Sequence, residues 1–302
     1  MSTYRCRPET RWRRKQQLTG IRETEGDRLG QSICIASGKG GVGKSTIAAN
    51  IGAALASMGA KVVIIDADIG LRAQDALLGL ENQVVYDLVD VAGKDCALDQ
   101  ALLHHPVYPS LALLPAAQFA RAKALDSARL KKIIRDLREA NDFVIVDSPA
   151  GVERGFRNLL GAGIGRMILV ATPDDISIRD AERAAQVIEA RHCMEERPEL
   201  IVNRLDEGLI SAGEMYSART VAQTLDMNLI GEIPEDPAVP RAALRHALVL
   251  QYQCEARNAI NRIARRLRGE QVSPPDYGSR RPPLMRRLFL RQLKEVSSLD
   301  NH

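Results

Sequence analysis

The stretch ICIASGKGGVGKSTIAANIGAALASM, Ile33–Met58, decides the fold. It opens with an apolar β-type run, passes through a glycine-rich loop and ends in residues with helical spacing. Inside it, Gly38–Ser45 reads GKGGVGKS and satisfies G-x-x-x-x-G-K-[ST] in full. A strand before the loop and a helix after it are the context that gives this motif its chemistry. Glycines at 38, 40, 41 and 43 allow the backbone to turn tightly, so that its N–H groups, Val42 included, surround a β-phosphate. The helix beginning near Ser45 and Thr46 adds the positive end of its dipole. Lys44 is placed to reach the β- and γ-phosphates, and the Ser45 hydroxyl to bind Mg²⁺.

Working outward, short apolar runs alternate with longer amphipathic stretches. The runs are Ile33–Ala36, Val62–Ile65, Leu111–Leu114, Phe143–Val146, Met167–Ala171, Leu200–Val202 and Leu229–Ile233. Several are continuously hydrophobic, as strands buried on both faces of a mostly parallel sheet must be. Ile47–Met58, Ala128–Ala140 and Arg179–Cys193 carry helical spacing. The expected architecture is one doubly wound α/β P-loop domain over 30–268. His104 and His105 are expected in a loop, with no assigned chemistry.

Two acidic positions end strands. Asp66-Ala67-Asp68 follows Val62–Ile65, and Asp147 follows Phe143–Val146. Ligands of open α/β sheets sit at the carboxyl ends of strands. An Asp after four apolar residues is the Walker B arrangement, which holds Mg²⁺ through its water shell. Any one of these Asp residues also suits a helix N-cap, but two strand ends beside a phosphate loop favour the metal. Lys39 is a second lysine inside the loop, unnecessary within one subunit. It is either a solvated residue without a role or one that reaches a phosphate across a dimer interface, as an arginine finger does.

Composition bounds the rest. No run among the 302 residues approaches the ~20 apolar residues that span a bilayer, and no secretory signal opens the chain. Five cysteines, at 6, 34, 96, 193 and 254, never form C-x-x-C, which points to reduced cytosolic thiols. Cys34 reads as a small core residue. The net charge of +4 is unevenly spread. Residues 1–29 hold eight basic against four acidic side chains, and 279–302 hold six against two, leaving the body mildly acidic. Basic ends on an acidic body suit an anionic surface better than a nucleic-acid-binding domain.

SGKGGVGKST with its additional Lys39 resembles the deviant Walker A motif of the MinD/ParA family of dimerising ATPases. Val62–Val91, DSPAGVERG (Asp147–Gly155) and IPED (Ile233–Asp236) are similar to the MinD group within it. The resemblance covers about 32–268 and resumes at the C-terminus. It implies an ATP- and Mg²⁺-dependent ATPase that homodimerises on ATP and positions the division septum. Its implied partners are a MinC-type division inhibitor, anionic inner-membrane lipid and a MinE-type regulator. It implies that Lys39 contacts the partner subunit's nucleotide and that Asp68 lies near the attacking water. It also implies that Asp66 and Asp68 form one switch, 147–151 a second, and that Asn203, Arg204, Pro234, Glu235 and Asp236 hold adenine. The arm 1–29, polar and without period, is expected to be disordered and precedes the family's usual start.

After Arg268, residues 269–283 are dense in Pro, Gly and Ser, as a tether is. Over 284–297, Leu284, Met285, Leu288, Phe289, Leu293 and Val296 fall on one half of a helix. Arg286, Arg287, Arg291 and Lys294 fall on the other, with Leu290 as exception. Such a helix lies in the headgroup plane of an anionic membrane, on the cytoplasmic face of the inner membrane if the resemblance holds. Two relatives compete with the MinD reading. A flagellar-number regulator shares fold and lipid helix, and a ParA-like DNA-segregation ATPase wants a basic body, which this chain lacks. An iron–sulfur carrier on the same loop needs cysteines placed to share a cluster, but the segment Asp147–Gly155 has none and C-x-x-C occurs nowhere.

Overall fold

The computed structural model describes residues 29–118, 125–152, 154–191, 194 and 196–273. The basic arm, most of the tether and the 284–297 helix lie outside them.

Eight strands form one sheet: β1 (Gln31–Ala36), β2 (Val62–Asp66), β3 (Leu103–His104), β4 (Leu111–Leu114), β5 (Phe143–Asp147), β6 (Arg166–Ala171), β7 (Glu199–Leu205) and β8 (Asn228–Pro234). Their spatial order is β3-β4-β2-β5-β1-β6-β7-β8, parallel throughout except where β3 pairs antiparallel with β4. Every apolar run expected as a strand is one. VVIID of β2 and FVIVD of β5 are buried at each position, which explains why they lack the alternation of a half-exposed sheet.

The helices are α1 (Lys44–Ser57), α2 (Gln74–Leu78), α3 (Leu88–Gly93), α4 (Ser127–Ala140), α5 (Arg154–Leu160), α6 (Asp175–Arg191), α7 (Glu207–Ala212), α8 (Ala218–Leu225), α9 (Ala238–Ala243) and α10 (Glu255–Leu267). They divide between the two faces of the sheet. Ile33 and Ile35 of β1 pack with α1 and α10, whereas Cys34 and Ala36 pack with α4, α6 and α8. That is the period-2 alternation of a strand covered on both sides. Cys34 is fully buried, and burial pushes its thiol up to about 12, so it is a core residue. α4 illustrates the packing. Asp126 caps it by accepting from Arg129 N at 2.8 Å, and Leu130, Ile133, Ile134 and Leu137 form its buried stripe while its basic residues face out.

One expectation holds only in part. His105 lies in the loop that follows β3 but is buried, whereas His104 ends the edge strand β3. The Nδ1 of His105 accepts from the N–H groups of Val107 and Tyr108 at 3.1 and 3.2 Å, and its ring lies 5.1 Å from that of Tyr108. Burial lowers the affinity of His105 for a proton. Its role is to cap the turn into β4, and two residues of strand are too few for an alternation to show in sequence.

Candidate functional site

The sheet register builds the site. β5 lies between β1 and β2, with Asp66 and Asp147 as register partners and Ile35 beside Asp147. Both carboxylates therefore stand at the carboxyl edge of the sheet, next to the loop that leaves β1. The backbone locks the edge: Ala67 N donates to Asp147 O at 2.9 Å, Ser148 N to Ile35 O at 3.1 Å and Gly151 N to Ser37 O at 3.0 Å. Ser148 donates its hydroxyl to the carbonyl of Pro149, a turn contact and not a nucleophile's.

The loop Gly38–Gly43 leads into α1, one residue earlier than expected. Gly43 holds φ +93° at the N-cap, and a Cβ there would stand 2.5 Å from Asn203 Nδ2. No side chain caps α1 and no acidic residue occupies its first turn. The amide groups of that turn, with the dipole behind them, are left to an anion. Gly38, Gly40, Gly41, Val42 and Gly43 form the loop that leads into that turn.

Lys44 is 6 % exposed and its Nζ donates to Asp147 Oδ1 at 2.6 Å, with Ser45 Oγ at 3.2 Å. Lysine, serine hydroxyl and aspartate therefore meet within one hydrogen-bonded group, as the sequence implied. Asp66 is fully buried. Its Oδ1 accepts from Asp68 N and its Oδ2 from Gln74 N, each at 3.0 Å. Burial and then the charge of Asp147 push its carboxyl up to about 7, against those two amides and Lys44. Asp68 is half-buried, which raises its carboxyl, with Lys44 opposing. Asp66 accepts from the amide of Gln74, the first residue of α2, but Ala73 holds the N-cap position of that helix, so Asp66 is not its N-cap residue.

Lys39 stands apart from this group. Its side chain is 41 % exposed, with Nζ 4.0 Å from Asp174 Oδ1. Partial burial raises the Asp174 carboxyl, but Thr172, the amide of Ser177 and Lys39 more than offset it and hold it low.

On the other side of the loop a cavity of about 210 Å³ opens between Gly43, Thr46, Asn203, Arg204 and Pro234–Asp236, with Ile233, Val239 and Ile260 as its apolar wall. A register shift between Val202 and Leu205 marks a bulge in β7, and bulges re-aim side chains. Here Asn203 turns inward, donating Nδ2 to Val42 O at 2.8 Å, while Arg204 takes φ +61° and lies 4.0 Å from Glu235 Oε2 at the rim. Glu235 N donates to Leu205 O at 2.9 Å, tying the β8 exit to β7. Asp236 accepts from the amides of Ala238 and Ala256, which outweigh its burial and lower its carboxyl. A cavity of this size with an apolar wall, contiguous with the glycine loop, fits a purine base.

The residues fit a Mg²⁺-nucleotide. The uncapped helix and glycine loop suit phosphates, and the hydroxyl and two carboxylates are the hard oxygen donors Mg²⁺ prefers. A buried carbonyl oxygen, Gln74 Oε1, also has no hydrogen-bond partner among the described residues. Sequence reasoning missed Gln74. It is fully buried, and its Nε2 donates to Asp147 Oδ2 at 2.7 Å and to Ser45 O at 3.0 Å. The signal available was slight: a polar residue eight positions after Asp66, at the start of a five-residue helix.

Comparison with known proteins agrees with this geometry. Residues 33–249 match the CobQ/CobB/MinD/ParA nucleotide binding domain. The septum site-determining protein MinD of Helicobacter pylori is 42 % identical over 255 residues, covering 82 % of this chain and 94 % of that protein. The structure of the MinC:MinD cell division protein complex from Aquifex aeolicus is similar at a TM-score of 0.74 and 36 % identity, covering 82 % of this chain and 98 % of that one. The Pyrococcus horikoshii MinD complexed with Mg-ADP has a TM-score of 0.70 at 26 % identity, covering 79 % of this chain and 96 % of that one. With a domain match over residues 33–249 and relatives matched over most of their length, the chain belongs to the MinD family of nucleotide-binding P-loop ATPases.

Proposed function

We propose that this chain is an ATP-driven positioning switch: it dimerises on ATP, grips anionic inner membrane and recruits a MinC-type inhibitor of division-ring assembly to place the septum. The observation that carries the reading is the convergence of Lys44, Ser45, Asp66 and Asp147 beside an uncapped helix, in a chain related to septum site-determining proteins over most of its length.

In this reading the loop amides and Lys44 hold the β- and γ-phosphates. Ser45, with Asp66 and Asp147 through water, holds Mg²⁺, which neutralises charge that builds on the phosphates. Asp68, linked to Asp66 through its own amide, orients the attacking water. Asn203, Arg204, Pro234, Glu235 and Asp236 enclose adenine. Lys39 is the exposed cation of the loop, and it reaches the nucleotide of the partner subunit, so that full charge neutralisation waits for dimerisation.

No helix among the described residues is long and apolar enough to cross a membrane. Residues 284–297 are the foot and 269–283 its tether. Each basic residue near an anionic leaflet contributes ~1 kcal/mol, and ordering the helix offsets much of what burial of its leucines adds. One foot therefore binds marginally, and two on one dimer gain roughly a hundredfold or more. Hydrolysis separates the dimer and frees both feet. A MinE-type regulator that stimulates hydrolysis sets where this happens. Sedimentation equilibrium with ATP, ADP or no nucleotide tests the dimer. The intact chain should dimerise with ATP alone, and Lys39→Ala should remain monomeric while still binding nucleotide. A monomer under all conditions would overturn the reading.

A further inference from the structure

Gln74 sits where three parts of the site meet. Its backbone amide donates to Asp66 Oδ2 at 3.0 Å, while its side-chain nitrogen donates to Asp147 Oδ2 at 2.7 Å and to Ser45 O at 3.0 Å. One residue thus touches the end of β2, the end of β5 and the first turn of α1. Its amide orientation is unambiguous, because both partners of Nε2 can only accept. That leaves Oε1 facing away from them, fully buried and without a hydrogen-bond partner among the described residues. A buried carbonyl with no donor costs about 1–3 kcal/mol, so an orphan of this kind inside a ligand site points to the donor it meets when the ligand arrives.

Candidates for that donor are few. Lys44 Nζ is engaged with Asp147 and Ser45, and the amides of Asp68 and Gln74 are taken by Asp66. A divalent cation held by Ser45 and, through water, by the two aspartates brings water molecules whose protons point outward from the metal. We propose that Gln74 is a positioning residue of the Mg²⁺ site: Nε2 fixes the Asp147 carboxylate, and Oε1 accepts a hydrogen bond from a water of the Mg²⁺ shell. Through this bridge the short helix α2, in the segment that follows Asp68, registers whether the metal is bound. Groups that orient metal ligands from behind typically change metal affinity 10–100-fold when removed.

The inference rests on the Mg²⁺-nucleotide reading of the site, and its test separates the two. Mn²⁺, read by its electron paramagnetic resonance signal, is titrated into full-length protein with ADP. A fluorescent ADP analogue reports nucleotide affinity in EDTA. Gln74→Met keeps the volume and removes both amide functions, and Gln74→Asn keeps the amide but is one methylene too short to span Asp147 and Ser45 O. Circular dichroism melts establish which variants fold. Mn²⁺ affinity should fall 10–100-fold in Gln74→Met and by an intermediate amount in Gln74→Asn, with metal-free nucleotide affinity within twofold of wild type. Should Gln74→Met not fold, Gln74→Asn alone decides. Unchanged Mn²⁺ affinity in the folded variants overturns the role of Gln74 and leaves the site reading intact. Loss of nucleotide affinity in EDTA by as large a factor as the loss of Mn²⁺ affinity overturns it in favour of a packing role. Failure of the wild type to bind Mn²⁺ with ADP overturns the site reading itself.

Discussion

Replacing Lys44 with methionine tests the electrostatics of the site before any ligand is added. Methionine keeps most of the aliphatic stem and removes the ammonium. That ammonium lies 2.6 Å from Asp147 Oδ1, with the two side chains 6 % and 0 % exposed. Cutting a buried ion pair from one side leaves an uncompensated charge and costs about 3–5 kcal/mol. Here Gln74 still donates to Asp147, which places the cost near the lower end, about 3 kcal/mol. Acid should relieve it. The Asp66 carboxyl rises from 3.8 to about 7 on folding. A raised acid binds more protons folded than unfolded between about pH 4 and pH 7, so stability grows as pH falls through that window. Lys44 is one of the groups opposing this rise, so its removal lifts Asp66 further and makes the deficit greatest at alkaline pH. Urea unfolding in EDTA without nucleotide, at pH 8 and pH 5, measures both. The expected deficit is about 3 kcal/mol at pH 8 and roughly half of that or less at pH 5. A deficit below about 1 kcal/mol at pH 8, or an equal one at both pH values, would refute the coupling of these charges.

Three further perturbations probe other links. Gly43→Ala forces a Cβ into a left-handed backbone and to 2.5 Å from Asn203 Nδ2, so about 2 kcal/mol of stability and at least tenfold in nucleotide affinity should be lost, by thermal melts and fluorescent-ADP titration. Gly231→Val places atoms within 2.4 Å of Ile263 Cδ1, between β8 and α10, and overpacking of this kind costs about 1–3 kcal/mol. Tm should drop while the hydrolysis rate of bound ATP holds. Asp68→Asn keeps the shape and discards the charge of a half-buried carboxylate. Mg²⁺-nucleotide affinity should persist while the single-turnover hydrolysis rate falls by about 10²–10⁴.

Much of this site is legible in the chain because several local signals coincide. The loop 38–45 is bracketed by a strand and a helix that each show their own period, and Asp66 and Asp147 end runs too apolar to be anything but buried strands. The cavity beside the loop is different. Asn203 and Arg204 follow an ordinary strand, and only the bulge in β7, which no single-residue propensity encodes, turns one inward and the other to the rim. That part came from family resemblance. Gln74 was invisible for the same reason: its function depends on the register that brings β2 and β5 together, not on its neighbours in sequence. α2, α3, α7 and α9 run five or six residues each, too short for a helical period to emerge. His105 looked idle because its partners lie in the turn it caps.

In the proposed function ATP controls where this chain resides. Sedimentation with anionic liposomes tests it most directly, using ATP, ADP or no nucleotide, for the intact chain and for a chain ending at Pro283. ATP-dependent binding that disappears on truncation is the expected result. Binding that ignores both nucleotide and truncation would contradict the account and turn attention to a nucleic-acid partner.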